Sequence, residues 1–302
     1  MPKAVLLGLK KYPLKISAVC AMLDSGGSAG RLRRDYKIVS PGDIRRALLA
    51  LADTSPIIEN LFNYRFQVGE LKDHNFANLF ITALELVTND YERTMKEVRR
   101  ILKVKHEVLP STLGKANLYA ILENGKVISG ETNIDIPKHN GNLRIKEVFL
   151  KPKVKAFPKT VKAIKKADLV VIGPGDLYSS LAQIFLTEGI PEAMAKTRAK
   201  KALICNLMTK YGETNNFSVA DFASETEKYL QCPVDYVIYN NHFPDDQGVS
   251  VYKKNHPELL ELVRPVAKLA KEKFLGKDLI SEDSLVEHDP EKVARILISL
   301  LD

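Results

Sequence analysis

The sequence has few features of a secreted or membrane protein. Its three cysteines, Cys20, Cys205 and Cys232, have no paired spacing, and the first two lie in apolar, strand-like runs. Buried, reduced thiols are typical of a cytosolic protein and argue against a disulfide or zinc framework. No apolar run is long enough to cross a bilayer, and the first residues become charged too soon for a signal peptide. We therefore expect a cytoplasmic protein without a membrane segment.

Signatures of common nucleotide and nucleic-acid binders are also missing. The sequence has no Gly-x-x-x-x-Gly-Lys-Ser/Thr loop, and its histidines lack metal-ligand spacing. Lys and Arg outnumber Asp and Glu by 45 to 37, which gives a formal net charge of +8. The lysines are spread along the chain without a motif that reads RNA or DNA, so solvated helix faces explain them. We expect no nucleic-acid partner.

The composition and the apolar runs predict an α/β fold. Hydrophobic residues make up 45% and charged residues 27% of the 302 residues, which is ordinary for a globular protein. Apolar strands joined by helices indicate a parallel sheet covered on both faces. The predicted strands are residues 15–22, 167–172, 202–208 and 234–239. We expect a three-layer, Rossmann-like, mostly parallel sheet.

A second pattern predicts an insertion into this sheet. Asn124-Gly125 lies between two alternating runs, which is a strong signal for an antiparallel β-hairpin. We expect the hairpin region at about residues 104–150 of one domain that covers residues 1–302. Helices are predicted at residues 75–87, at 258–274, at 290–301 with Asp289 as cap, and after residue 43 with Asp43 as cap.

Residues 173–180 form the sharpest ligand-binding pattern, between a predicted strand and a helix expected from residue 181. Glycine lets the backbone approach an anion, and a helix N-terminus attracts negative charge. The hydroxyl groups of the two serines add donors. The alternative is an ordinary turn from strand to helix. The segment reads Gly173-Pro174-Gly175-Asp176-Leu177-Tyr178-Ser179-Ser180.

A second glycine loop follows the first predicted strand. Asp24 can accept ligand hydroxyls or hold a divalent cation, or it can form an Asx turn. Gly26, Gly27 and Ser28 can contact a phosphate. Arg45 is suited to bidentate phosphate contacts, with surface solvation as its alternative.

Polar residues near other element ends complete the predicted site. Asn206, Thr209 and Asn240 lie at strand ends, where ligands bind in open parallel sheets, and we assign them to a base or sugar. Asn75 and Asn78 share a helix face, and His74 beside them can donate a proton or contact the ligand. A helix cap with a surface histidine is the alternative.

Together these segments resemble the CofD-like superfamily, most closely its YvcK-type branch of gluconeogenesis factors. The resemblance runs from the first helix to about Asn241. Six motifs in order carry it: Gly26-Gly27-Ser28-Ala29-Gly30-Arg31-Leu32-Arg33, Pro41-Gly42-Asp43-Ile44-Arg45, His74-Asn75-Phe76-Ala77-Asn78-Leu79, residues 173–180, Cys205-Asn206-Leu207-Met208-Thr209 and Gly212-Glu213-Thr214.

The resemblance implies two functions. YvcK-type proteins bind nucleotide-sugars of the UDP type and are linked to carbon metabolism, cell shape and cell-wall synthesis. CofD proteins are magnesium-dependent 2-phospho-L-lactate transferases that use a nucleotide-activated phospholactate. Arg31-Leu32-Arg33 and residues 177–180 resemble the first branch, so we expect a nucleotide- or nucleotide-sugar-binding regulator. The alternative is a transferase in which Asp24 holds Mg²⁺ and Arg45 balances charge.

The sequence departs from the family pattern in two places. The family opens with a strand and a Gly-Gly-Gly-Thr-Gly loop, whereas this chain begins Met1-Pro2-Lys3-Ala4. Either the start codon is misassigned or the protein lacks this strand; in the second case the neighbouring strands would expose their edges, which favours pairing with another chain, such as a homodimer. Ser25 follows Asp24 where the family commonly has a second aspartate, which weakens the predicted metal site.

Overall fold

The computed structural model describes residues 2–244, 246–266, 269–281 and 286–301. Two π-helical turns, Pro2–Leu6 and Leu177–Ala182, each continue into a short α-helix. The α-helices are α1 (Leu7–Leu9), α2 (Gly27–Tyr36), α3 (Gly42–Leu51), α4 (Pro56–Asn63), α5 (Phe76–Thr88), α6 (Tyr91–Ile101), α7 (Glu131–Asp135), α8 (Pro158–Lys166), α9 (Gln183–Phe185), α10 (Ile190–Lys196), α11 (Val219–Leu230), α12 (Asp246–Asn255) and α13 (Pro290–Ile298). The strands are β1 (Ser17–Cys20), β2 (Glu107–Pro110), β3 (Asn117–Leu122), β4 (Val127–Ser129), β5 (Ile145–Lys151), β6 (Leu169–Ile172), β7 (Lys200–Ile204), β8 (Met208–Lys210), β9 (Tyr236–Asn240), β10 (Leu259–Leu262) and β11 (Phe274–Lys277).

A four-stranded parallel sheet in the order β11-β9-β7-β6 forms the centre of the fold. Successive side chains of a strand point to opposite faces. Leu203 and Val237 belong to one core cluster, with the helices that follow β6 and β8. Ala202 and Ile238 belong to another, with α1 and α13. This alternation confirms the predicted three-layer α/β fold.

The first two strands form a separate parallel pair. Ala18 of β1 lies opposite Val108 of β2, and α3, α5 and α6 pack their apolar faces around this pair. Within the described ranges, β1 pairs only with β2, and β6 pairs only with β7.

The predicted antiparallel insertion is present as the sheet β4-β3-β5. Ala120 of β3 lies opposite Ile128 of β4 and Val148 of β5. Gly125 has a φ of +82°, as the predicted turn requires. That the whole chain forms one domain stays a prediction.

Three local predictions are wrong. The helix predicted at 258–274 is instead β10 and β11, because β8 and β9 offer free edges to pair with; residues 267 and 268 of that prediction lie outside the described residues. The strand predicted at 202–208 ends at Ile204 and resumes as β8. Asp43 does not cap α3, whose cap position is Pro41; it lies in the first turn and pairs with Arg46.

Candidate functional site

The loops that follow β1 and β6 lie side by side. The Leu23 backbone N–H donates to Gln183 Oε1 at 3.2 Å, which joins the first loop to the helix after the second. Arg33 secures the same loop by donating to the carbonyls of Leu23 and Asp24, at 3.1 and 3.3 Å, and to the carbonyl of Ala116. The Arg33 guanidinium therefore stabilises the backbone of the loop that follows β1.

Residues 173–180 become helical earlier than predicted, at Leu177 and not at residue 181. Glu213 explains the difference, because its carboxylate accepts from Tyr178 N at 2.9 Å, Ser179 N at 3.1 Å and Ser179 Oγ at 2.8 Å. The Ser179 hydroxyl and two backbone N–H groups at the helix start, which the sequence assigns to a ligand phosphate, therefore already bind this carboxylate. The sequence analysis included Glu213 in a family motif but did not predict its role. Its hydrogen-bond partners are 34 and 35 residues away, which no local pattern indicates.

Glu213 also belongs to a partly buried ion cluster around Lys210. Lys210 Nζ binds Asp135, Asp176 at 3.2 Å and Glu213 at 3.2 Å. Burial opposes the charge of Lys210, but Glu213, Asp176 and Asp135 together raise its pKa. Burial and Asp176 raise the pKa of Glu213, while Lys210 and Ser179 act against that rise.

The same three carboxylates could in principle hold a metal ion, since their oxygens lie within 4.8 Å of one another. However, Lys210 supplies the positive charge among them, and both oxygens of Glu213 already accept hydrogen bonds. As arranged, these residues do not fit a resident Mg²⁺ ion, which needs an oxygen shell of its own.

The surroundings of Asp24, the predicted metal ligand, favour the protonated form of its carboxyl group. Burial, Asp43 and Glu131 raise the pKa of its carboxyl to about 7, and Ser40 Oγ donates to it at 3.0 Å. Ser25 N donates to Glu131 at 3.1 Å, so the residue that departs from the family pattern joins this loop to α7. Within the described part of the chain, Asp24 is not in a metal-binding group of carboxylates.

Ser28, His74 and Asn75 connect two helix starts. Ser28 Oγ lies 3.2 Å from His74 Nδ1 and accepts from Asn75 N at 3.2 Å. Asn75 Oδ1 accepts from Asn78 N, so Asn75 caps α5, which is the alternative given above. The Gly-x-Ser-x-Gly spacing of hydrolases occurs at residues 26–30. Ser28 is only 3% exposed, however, so its hydroxyl group forms hydrogen bonds within the protein.

Arg45 and Asn78 each have one polar atom without a hydrogen-bond partner in the described part of the chain. Arg45 Nε and Asn78 Oδ1 are buried and have no hydrogen-bond partner among the described residues. Burial, Arg46 and Arg65 lower the pKa of Arg45 to about 10, so it remains a cation at neutral pH. Arg45 Nη1 donates to Asn63 Oδ1 at 3.3 Å, and a half-buried cation beside other arginines favours an anionic ligand.

A cleft of about 250 Å³, here called the strand-end cleft, lies at the carboxyl ends of β6 and β7. Asn206 shapes it by accepting from Gly175 N at 3.0 Å and donating to Gly175 O at 3.1 Å. His288 Nε2 lies 3.2 Å from the Cys205 carbonyl, and burial lowers its pKa to about 4. The cleft brings predicted residues together with others that had no sequence signal: Pro174, Gly175 and Asn206 with Lys3, Tyr252 and His288.

Thr209 and Asn240 do not line this cleft. Thr209 Oγ1 accepts from Glu261 N at 3.1 Å, which joins β8 to β10. Asn240 Oδ1 accepts from Leu279 N at 3.0 Å. Both polar groups are used inside the fold, because strands that the sequence did not predict lie beside them.

A family model described as 2-phospho-L-lactate transferase CofD matches residues 3–283. The chain is 37% identical over 307 residues to the gluconeogenesis factor of Bacillus subtilis, covering 98% of this chain and 94% of that protein. A relative from Clostridium acetobutylicum is 37% identical over 300 residues, and the chain spans 66% of its length.

Solved structures agree with these relatives. A crystal structure of a member of the UPF0052 family from Bacillus halodurans superposes with a TM-score of 0.91 and 33% identity, covering 98% of this chain and 95% of that one. Among the described residues, no helix combines the length and apolarity needed to cross a membrane.

Proposed function

The chain belongs to the CofD family, and from that premise we propose that it is a cytosolic protein that binds a nucleotide or nucleotide-sugar of the UDP type. Its role, by likeness to the gluconeogenesis factors, is to regulate carbon metabolism, cell shape or cell-wall synthesis. The strand-end cleft carries this proposal, because ligands of open parallel sheets bind beyond the carboxyl ends of the strands.

The cleft offers suitable groups for one end of such a ligand. Lys3 provides an ammonium group for a phosphate; its side chain is 76% exposed, and among the described residues its ion-pair partner is Glu287, at 2.9 Å. Asn206 holds the Gly175 backbone at the wall, and Tyr252 presents an aromatic ring. At about 250 Å³ the cleft is smaller than the ~300–1,000 Å³ typical of drug-sized ligands. It therefore encloses part of a nucleotide-sugar, and the rest extends into solvent.

The remaining predicted residues support this proposal unequally. Arg45 is the best further ligand contact, because its side chain is only partly buried, whereas Asn78 is buried. Gly26 and Gly27 start α2, whose N-terminus favours negative charge. Tyr178 and Ser179 hold the loop through Glu213 and act indirectly.

Titration calorimetry with UDP, UDP-glucose and UDP-N-acetylglucosamine tests the proposal. We expect saturable binding, and Lys3→Met weakens it about tenfold, since a hydrogen bond to a charged group is worth ~1.5–3 kcal/mol. Lys11→Met is the matched control, because Lys11 also forms an exposed ion pair, with Glu291, outside the cleft. The proposal fails if none of the three ligands binds at about 10 mM, a free energy near −2.7 kcal/mol.

A magnesium-dependent transferase is the second candidate, suggested by the description of the family model; the three clustered carboxylates, as arranged around Lys210, do not add to it. Mg²⁺ would have to displace Lys210 from Asp176 and Glu213. The assay follows nucleotide release from a nucleotide-activated phospholactate with and without Mg²⁺. Turnover that needs Mg²⁺ and is lost in Asp24→Ala supports a transferase, and unchanged turnover in that variant excludes the role assigned to Asp24.

A further inference from the structure

A second cavity, here called the side pocket, lies between the antiparallel insertion and α11. It has a volume of about 190 Å³ and shares no lining residue with the strand-end cleft. One wall is residues 142–145 before and at the start of β5, and the other is α11 with the loop that precedes it. Tyr178 and Glu213 also line it, so it borders the segment that follows β6.

Hydrogen bonds between the loop before β5 and the loop before α11 hold the walls of the side pocket in place. The Gly141 backbone N–H donates to the Tyr211 hydroxyl at 3.1 Å, and Asn215 Nδ2 donates to the Gly141 carbonyl at 3.0 Å. Asn215 Oδ1 accepts from Gly212 N at 2.8 Å. A ligand would therefore enter a preformed cavity without ordering a loop, which lowers the free-energy cost of binding.

The charges of the lining select the ligand. Glu213, Asp221 and Glu225 line the pocket, against one cation, Arg144. Glu213 is already committed to the neighbouring backbone, but the other two carboxylates stand at the wall formed by α11. Asp221 uses Oδ2 to accept from Ser218. Glu225 accepts from Lys228 through Oε1 at 2.7 Å. Carboxylates accept hydrogen bonds and repel anions, so the lining favours neutral or cationic donors.

The size of the side pocket and the apolar part of its lining narrow the choice of ligand. At about 190 Å³ the pocket is below the ~300–1,000 Å³ of drug-sized sites. Phe217 and Tyr178 add aromatic surface beside Asn142 and Ser224, whose amide and hydroxyl groups both donate and accept. We propose that the side pocket binds a neutral or cationic molecule of monosaccharide size with several hydroxyl or amino groups, namely a hexose or a hexosamine.

Saturation-transfer NMR with D-glucose, D-glucosamine and D-glucose 6-phosphate tests this proposal. We expect saturable binding of the first two, and at least tenfold weaker binding of the phosphate because the carboxylates of Asp221 and Glu225 repel it. Ser224→Tyr places a large side chain in the pocket from an exposed helical position and abolishes binding. Ser299→Tyr, at the exposed C-terminal end of α13, leaves binding unchanged.

Glu225→Gln provides a second variant that preserves shape, and it weakens glucosamine binding more than glucose binding. The proposal is overturned if neither sugar binds at about 10 mM, if Ser224→Tyr binds as the unaltered protein does, or if glucose 6-phosphate binds most tightly. Each outcome is independent of UDP-ligand titrations at the strand-end cleft, because the two cavities share no lining residue.

Discussion

Replacing Glu213 tests whether this side chain, and not a ligand, organises the helix after β6. Its carboxylate accepts four hydrogen bonds, from Tyr178 N, Ser179 N, Ser179 Oγ and Lys210 Nζ. Glu213→Ala leaves the two backbone donors buried without an acceptor. Glu213→Gln keeps the shape and one acceptor oxygen, but turns the other acceptor into a donor.

The expected loss in the free energy of unfolding follows from these contacts. Hydrogen bonds to a charged group are worth ~1.5–3 kcal/mol each, and removing one partner of a buried ion pair costs ~3–5 kcal/mol. Lys210 keeps Asp135 and Asp176, which limits the loss. We expect Glu213→Ala to lower the free energy of unfolding by about 3–5 kcal/mol, and Glu213→Gln by about 1–3 kcal/mol.

Urea unfolding at pH 7, followed by far-UV circular dichroism, measures both losses. Glu97→Ala is the control, because Glu97 pairs with Arg100 on the exposed face of α6 and its loss leaves the urea midpoint unchanged. If Glu213→Ala unfolds within about 1 kcal/mol of the unaltered protein, the carboxylate does not organise this helix and the backbone donors are free for a ligand.

Three further outcomes follow from the buried charges. In the folded protein the pKa of Asp24 is raised to about 7. The contribution of Asp24 to stability is therefore present below about pH 4 and is lost as the pH rises through 7. Asp24→Asn removes this pH-dependent loss, so the urea midpoint of the variant should fall less between pH 5 and pH 8 than that of the unaltered protein. Lys210→Met removes the cation from three carboxylates and costs about 3–5 kcal/mol at pH 7.5 but less at pH 5, which is below the raised pKa of about 7 of Glu213; an equal cost at both pH values would contradict the ion cluster. Arg33→Lys cannot reach the carbonyls of Leu23, Asp24 and Ala116 together, so thermal unfolding should show a loss of about 1–3 kcal/mol; an unchanged midpoint would mean that the guanidinium does not hold the loop.

The buried strands and the hairpin were predictable because each is encoded over a short stretch. The apolar run 167–172 and the run 234–239 became β6 and β9, and Asn124-Gly125 became the turn between β3 and β4. Asp289 caps α13 as predicted, with Pro290 in the first turn. The helix predicted at 258–274 failed because strand pairing with β8 and β9 outweighed local spacing.

The candidate site was predictable only in part. Gly175 and Asn206 were chosen from the sequence, and both line the strand-end cleft, although their role as ligand contacts stays a prediction. Lys3, Tyr252 and His288 had no signal, because they come from the two ends of the chain and meet only when the sheet forms.

The sequence by itself determined the α/β class, the parallel sheet and the family, because apolar runs, glycine turns and ordered motifs are local or in simple chain order. Only the tertiary structure decided what each polar group does. Ser179 and Glu213 are 34 residues apart, yet they satisfy one another, as do Thr209 and Glu261 across 52 residues. A buried donor takes whichever acceptor packing brings within reach, and no local pattern records that partner.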